Sequence, residues 1–303
     1  MRFWSQAPVV RSEELPRLHW LMGFFHSTHY NWDQKTWVQN REEILHRELF
    51  LGLLGDVRGK KILEVGCGGG AYMLVLKAMG ADVAGQDILE ESLAEGRKTF
   101  ADLGIPARFA LGDASKLQFD DEEFDCVISA DVYEHISLEV KRRVTAEIYR
   151  VLKPGGVAAI KTPNLSYLKM VIWGRRLANL LRLRSPFVYI AHTRDNPDRE
   201  HHGLTTYSEL DMVFSEQPFT PGERLNIPLK RGRLHIKDRW RFPFRSRFNE
   251  HLMMRFRKSM VLPVGERLNR QLGSGQLAAG SASPATEDGA LPRARASDSL
   301  RHA

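Results

Sequence analysis

Cysteine, metal-ligand spacing and long apolar runs are all scarce in this chain. Among its 303 residues only Cys67 and Cys126 are cysteines. Both fall in or beside stretches that read as buried strands, which excludes a disulfide framework and suits a reducing compartment. No zinc-module spacing occurs, so no metal is expected. No uncharged apolar stretch approaches the roughly eighteen residues of a membrane span. The opening MRFWSQAPVVRSEELP holds no apolar run of signal-peptide length. The expectation is a cytoplasmic protein that meets a membrane only at its surface. At 43% apolar residues the chain can still bury a substantial core in one or two domains.

Acidic charge is short in one half only. Residues 1–160 carry 19 Lys and Arg against 24 Asp and Glu, whereas residues 161–303 carry 25 against 13. The two halves therefore have different work to do.

The stretch that organises the acidic half is KKILEVGCGGG, residues 60–70. Ile62, Leu63 and Val65 form the short apolar run of a parallel strand covered on both faces. Gly66, Gly68, Gly69 and Gly70 then clear β-carbons from the turn, so a ligand can approach the main chain. Glu64 stands just before that turn, ready to accept from ammonium or hydroxyl groups. AYMLVLKAMG reads as a helix stopped by Gly80, and ADVAGQD as a second strand ending in Asp87. Asp87 lies 23 residues after Glu64, near the spacing of about twenty at which a strand-end acid receives ribose hydroxyls.

A helix (ESLAEGRKTFADLG), a third strand before Asp113, and a fourth strand, FDCVIS, follow in turn. DVYEHI comes next, then an amphipathic helix ending in Pro-Gly-Gly and a fifth strand, VAAIKTPN. Unbroken alternation predicts an α/β fold with a doubly wound, mostly parallel sheet whose ligands sit at the carboxyl ends of the strands. Glu64, Asp87, Asp113, Ser129 and Asp131 all lie at or just beyond such ends.

These residues resemble the class I methyltransferases that use S-adenosyl-L-methionine, in particular the small-molecule branch that includes quinone-biosynthesis methyltransferases. The resemblance covers about residues 55–165 and implies a seven-stranded, Rossmann-like sheet. ILEVGCGGG is similar to that family's D/E-x-G-x-G-x-G motif, FDCVISADVYEHI to its fourth-strand motif, and VLKPGGVAAIKTPN to its approach to strand five. Carried over, Glu64 and the turn Gly66, Cys67, Gly68 and Gly70 would contact the amino-acid part of the cofactor. Asp87 with Ile88 would hold the ribose, Asp113 and Ala114 would meet the adenine, and Ser129 would stand near the sulfonium. The cofactor carries an activated methyl group, so no covalent nucleophile is needed and none is signalled.

For a hydroxyl acceptor the candidate bases are His201 and His202, in the polar loop HTRDNPDREHHGLTTYSELDMVF, with His135 a further candidate. Each could equally be a surface or local hydrogen-bonding residue. That loop leads into a helix capped by Thr206 or Ser208.

The basic half is expected to choose the acceptor, a small or lipid-like molecule, most simply methylated on oxygen. SYLKMVIWGRRLANLLRLR (166–184) gathers Met170, Trp173, Leu177, Leu180 and Leu181 on one arc, with Lys169, Arg175, Arg176 and Arg182 largely opposite. It could lie on an anionic membrane, close a pocket around a greasy acceptor, or pack as a lid on its own domain. RWRFPFRSRF, within the basic stretch 230–258, suits the same surface. Nucleic acid is the less favoured partner, because the fourth strand does not lead into an Asn/Asp-Pro-Pro-Tyr motif. A catalytically silent assembly factor at a membrane is the alternative of a different kind. The expected organisation is an N-terminal helical cap over 1–54, a methyltransferase domain over 55–245 with an insertion at about 165–205, a basic helical extension over 246–272 and a disordered tail over 273–303. ERLNIPLKRGRLHI is expected to form the antiparallel hairpin that closes the sheet.

Overall fold

The computed structural model describes residues 29–31, 36–38, 41–186, 201–225 and 251–260. A two-stranded antiparallel pair, β1 (His29–Asn31) and β2 (Thr36–Val38), precedes helix α1 (Arg41–Gly52). Residues 29–31 and 36–38, expected within the N-terminal helical cap, are therefore paired strands instead.

The sheet that follows has seven strands: β3 (Lys61–Val65), β4 (Asp82–Asp87), β5 (Arg108–Leu111), β6 (Phe124–Ala130), β7 (Leu152–Pro163), β8 (Glu223–Arg224) and β9 (His251–Arg257). Its order is β5-β4-β3-β6-β7-β9-β8, with β3 to β7 parallel and β9 antiparallel to both β7 and β8. The connecting helices are α2 (Ala71–Ala78), α3 (Glu90–Asp102) and α4 (Leu138–Val151), with α5 (Leu165–Leu181) and α6 (Tyr207–Ser215) after β7.

Period-two alternation along β3 explains the two layers. Ile62 joins the apolar cluster of α1, α2 and α3 with Phe50, Met73, Leu76 and Phe100. Leu63 and Val65 join the opposite cluster with Val144 and Ile148 of α4 and Leu210 and Phe214 of α6. From β3 the chain winds outward through β4 and β5, then returns to place β6 on the other side. The reversal puts a crevice at the carboxyl ends of β3 and β6, where open α/β sheets bind ligands.

Residues 251–257 were expected in a helical extension and instead form β9. Leu252, Met253, Met254 and Phe256 are all buried, divided between the two apolar clusters, and a strand with both faces covered delivers that where a helix with one apolar stripe does not. At the edge of the sheet β8 pairs antiparallel with β9, with Glu223 opposite Arg255. Residues 226–250, which hold the second arm of the expected hairpin and most of the basic stretch 230–258, lie outside the described residues, as does the expected tail.

Candidate active site at the carboxyl ends of the strands

The glycine turn is pinned to the neighbouring strand. Gly66 and Cys67 donate their N–H groups to the carbonyl of Gln86 at 2.8 and 3.2 Å, and Gly68 N donates to Asp87 Oδ2 at 2.7 Å. Gly66, Gly68 and Gly70 have φ of 74°, 49° and 78°. At Gly66 a β-carbon would also lie 2.2 Å from Val132 Cγ2, so neither the backbone nor the space admits a side chain. Asp87 Oδ1 accepts from Leu89 N at 2.9 Å, so one carboxylate fixes both the turn and the entry to α3.

Glu64 is 3% exposed and its Oε2 has no hydrogen-bond partner. Burial raises its pKa well above the carboxylate range, and the nearby Asp87 and Asp131 push the same way. Ser129, opposite Val65 in the adjoining strand, is fully buried and its Oγ is likewise without a partner. Two orphaned polar atoms on neighbouring strands are what a ligand-binding crevice shows before its ligand arrives, and they suit a ligand with donor groups such as an amino acid's ammonium. Cys67 is buried and its thiol pKa is driven up by desolvation, so it lines the turn without acting as a nucleophile.

Farther along the crevice, Asp113 Oδ1 accepts from Ser115 N at 2.7 Å, and hydrogen bonds from Ser115 hold its pKa below the ordinary value. Ala114 packs against the core. Ile88 and Leu89 are 66% and 60% exposed, an apolar pair beside Asp87. Sequence reasoning missed Gln86, which joins these parts. Its Nε2 donates to the carbonyls of Asp113 (2.9 Å) and Lys116 (3.2 Å), and its Oε1 accepts from Gln118 N at 2.8 Å. A polar residue inside an otherwise buried strand was the available signal.

After β6 the backbone turns sharply. Asp131 has φ 58°, unusual for a residue with a β-carbon, and Lys161 Nζ donates to its Oδ2 at 2.5 Å. The next turn, a 3₁₀ helix over Tyr133–His135, presents Glu134 and His135. Glu134 is buried, accepts from Thr162 Oγ1 at 2.8 Å, and has its pKa raised chiefly by burial and secondarily by Asp131.

Two of the three candidate histidines meet here. The His135 and His201 rings stand 4.6 Å apart, and each of these histidines offers an atom that lies, with a Glu134 carboxylate oxygen, in a group spanning no more than 4.8 Å. His202 is exposed and outside that group. The loop bearing His201 is fixed by Gly203, whose N donates to Glu134 O at 2.7 Å and whose carbonyl accepts from buried Lys141 Nζ at 2.6 Å. A β-carbon on Gly203 would meet Ile136 O at 2.1 Å. The expected cap of α6 is Thr206, whose Oγ1 accepts from Glu209 N at 3.2 Å.

A seven-stranded sheet of this order, with a glycine turn after its central strand and acids at the ends of the neighbouring strands, resembles the class I methyltransferase domains that use S-adenosyl-L-methionine. Residues 62–156 match the family model described as a methyltransferase domain. The ubiquinone biosynthesis O-methyltransferase of Roseobacter denitrificans is 30% identical over 118 residues, 38% of this chain and 47% of that protein. The mitochondrial ubiquinone biosynthesis O-methyltransferase of Rattus norvegicus is 36% identical over 179 residues, 54% of this chain and 48% of the relative. A phthiotriol/phenolphthiotriol dimycocerosates methyltransferase of Mycobacterium tuberculosis is 39% identical over 106 residues, 33% and 37% of the respective chains. The chain thus spans less than half the length of these curated relatives. Among solved structures, the PH0226 protein from Pyrococcus horikoshii OT3 superposes with a TM-score of 0.51 at 22% identity, covering 72% of this chain and 91% of that one, a likeness of fold.

Proposed function

We propose that the protein transfers the methyl group of S-adenosyl-L-methionine to an oxygen of a small or lipid-linked acceptor. The observation that carries this reading is the convergence of Glu64, Asp87, Asp113 and Ser129, from four strand ends, on one crevice, with Glu64 Oε2 and Ser129 Oγ left without partners. The bound cofactor supplies an electrophilic methyl group on sulfur. The chain's own task is to position, to exclude water and to manage the acceptor's proton.

In this reading Glu64 and the main chain of Gly66, Cys67, Gly68 and Gly70 hold the amino-acid end of the cofactor. Asp87 keeps lone pairs beyond those given to Gly68 and Leu89, and these accept from the ribose hydroxyls. Ile88 covers the ribose, Asp113 and Ala114 face the adenine, and Ser129 stands beside the sulfonium. His201 and His135 lie beyond β6, where a hydroxyl acceptor would need its proton removed, with the exposed His202 the weaker candidate base.

The acceptor's class is supported from two sides. Two of the relatives carry ubiquinone biosynthesis in their names and the third carries dimycocerosates. Within this chain, α5 leaves Trp173, Leu177, Leu180 and Leu181 exposed at 57–78%, followed by Leu183 at 96%. From residue 165 to 186 there are five basic and no acidic side chains. Such a face suits an anionic bilayer surface, from which a lipid-linked acceptor would be drawn. Among the described residues no helix is long and apolar enough to cross a membrane.

Calorimetric titration of S-adenosyl-L-methionine into the full chain tests the cofactor reading. Micromolar binding is expected, weakened about tenfold to a hundredfold by Asp87→Ala, the scale of lost hydrogen bonds to a charged group. No binding, or an Asp87→Ala variant that binds as well as the parent, would sink it. Transfer of a labelled methyl group to a prenylated catechol, but not to RNA or DNA, checks the acceptor class.

A further inference from the structure

We propose that Gln86 is a positioning residue that sets the crevice's preference for adenine over a purine carrying an oxo group in place of the amino group. This deepens the methyl-transfer reading and rests on it for the identity of the ligand.

Gln86 stands where two parts of the crevice meet. Its backbone carbonyl accepts from Gly66 N and Cys67 N and so holds the glycine turn, while its side chain, 1% exposed, holds the loop that follows β5. Nε2 donates to the carbonyls of Asp113 at 2.9 Å and Lys116 at 3.2 Å, and Oε1 accepts from Gln118 N at 2.8 Å. An amide has two N–H donors and one carbonyl, so two carbonyl partners and one N–H partner match it in a single orientation. Gly112 gives the amide its room, because a β-carbon there would lie 3.0 Å from Gln86 Nε2. Val83 and Ala84 fill their buried places in the same strand with apolar side chains, and packing alone would be served by another.

The clamp decides which way the peptide between Asp113 and Ala114 faces. Asp113 O accepts from Lys116 N at 2.9 Å as well as from Gln86, so both of its lone pairs are engaged. The peptide is trans, and in a trans peptide the N–H points opposite to the C=O, so the Ala114 N–H is turned away from Gln86. One residue back, the Asp113 carboxylate accepts from Ser115 N at 2.7 Å and keeps lone pairs beyond that bond. An acceptor and a donor therefore stand side by side. Adenine carries the complement, an amino group that donates beside a ring nitrogen that accepts. Replacing that amino group by an oxo group reverses both. With the side-chain amide of Gln86 removed, Lys116 N is left to hold the Asp113 carbonyl, the peptide can rotate, and the loop no longer distinguishes the two bases.

The test compares two ligands on the full chain by calorimetry: S-adenosyl-L-homocysteine, and S-inosyl-L-homocysteine, whose base carries the oxo group. The parent is expected to bind the adenosyl ligand at least about tenfold more tightly, the scale of one misplaced hydrogen bond to a charged group. Gln86→Met has a side chain of similar length and no donor. It should weaken the adenosyl ligand by about tenfold, leave the inosyl ligand little changed, and bring the ratio of the two affinities towards one. Gln86→Glu keeps the acceptor for Gln118 N, loses the donor, and makes the same prediction should the Met variant fail to fold. Ile148→Ala, which destabilises the core away from the crevice, should lower the melting temperature and leave the ratio unmoved. In the ligand-free chain, amides of residues 113–118 should exchange about tenfold faster in Gln86→Met, with the rest of the sheet unchanged. The proposal is overturned if the Gln86 variants keep the parent's ratio, if Ile148→Ala loses it to the same extent, or if exchange in the loop is unaltered. Those outcomes leave the methyl-transfer reading standing, whereas a parent that binds neither ligand removes that reading and the role of Gln86 with it.

Discussion

Helices α4 and α5 look alike as strings of letters and behave differently in the fold. Both are amphipathic and basic, and both start from a side-chain cap, Ser137 Oγ accepting from Val140 N and Asn164 Oδ1 from Ser166 N. Helix α4 buries Val144, Ile148 and Val151 against the sheet. Helix α5 buries only Leu165 and Ile172 and turns Trp173, Leu177, Leu180 and Leu181 outward. Their polar faces differ too. Arg150 pairs with Glu147 at 2.7 Å and Arg143 with Glu139 at 2.6 Å on α4, while α5 has no carboxylate at all. An apolar stripe announces that a face is to be covered, and the neighbouring charge says by what.

The contrast can be broken first through stability. Ile148→Ala is expected to cost about 2–5 kcal/mol in chemical denaturation, because it opens a cavity in a filled core. Leu177→Ala should stay within about 0.5 kcal/mol. Equal losses would mean that α5 is packed after all.

A membrane readout sharpens the comparison from the other side. Each apolar side chain buried in a bilayer interface contributes about 1.5–3 kcal/mol. Trp173→Ala combined with Leu180→Ala should therefore lower sedimentation with anionic vesicles by two orders of magnitude or more, with the melting temperature unmoved. Neutralising Arg175 and Arg176 together should weaken vesicle binding by about 2 kcal/mol, at roughly 1 kcal/mol for each basic residue near an anionic surface. That loss should shrink in high salt and vanish on uncharged vesicles.

The smallest effect concerns pH. Arg150 and the Leu117 N–H hold the Glu147 carboxyl below its ordinary pKa. A depressed folded-state pKa gives stability that is present above the unfolded value near 4.3 and is lost as pH falls through the folded one. Glu147→Gln should therefore flatten the acid limb of the stability curve, by under about 1 kcal/mol since the pair is partly solvated. Vesicle binding by α5, which has no carboxylate to titrate, should not follow that limb.

The parallel core was legible in the sequence because its signals are local. An apolar run, a glycine turn and an acid at a strand end each fit within a dozen residues, and β3 to β7 lie where those signals put them. Other features depend on partners remote in the chain. HLMMRFR has no clear period, and only its place between β7 and β8 makes it a strand. The meeting of His135 with His201 depends on Gly203 reaching the Glu134 carbonyl, a bond no spacing rule encodes. Residues 29–31 and 36–38, expected within the helical cap, pair instead as two short strands, a contact between segments that a helical apolar pattern does not encode.

The seating of β9 beside β7 has a consequence for how the chain is made. β7 ends at Pro163 and its neighbour begins at His251. At ribosomal rates of about 5–20 residues per second, the intervening stretch takes roughly 4–18 s to emerge. For that interval the half that carries the glycine turn exists with β7 as a bare edge, rich in unpaired main-chain groups and apolar side chains. The nascent protein is then most open to pairing with the wrong strand, so truncations that end before residue 251 should aggregate even though every residue of the glycine turn and of the strand-end acids is present.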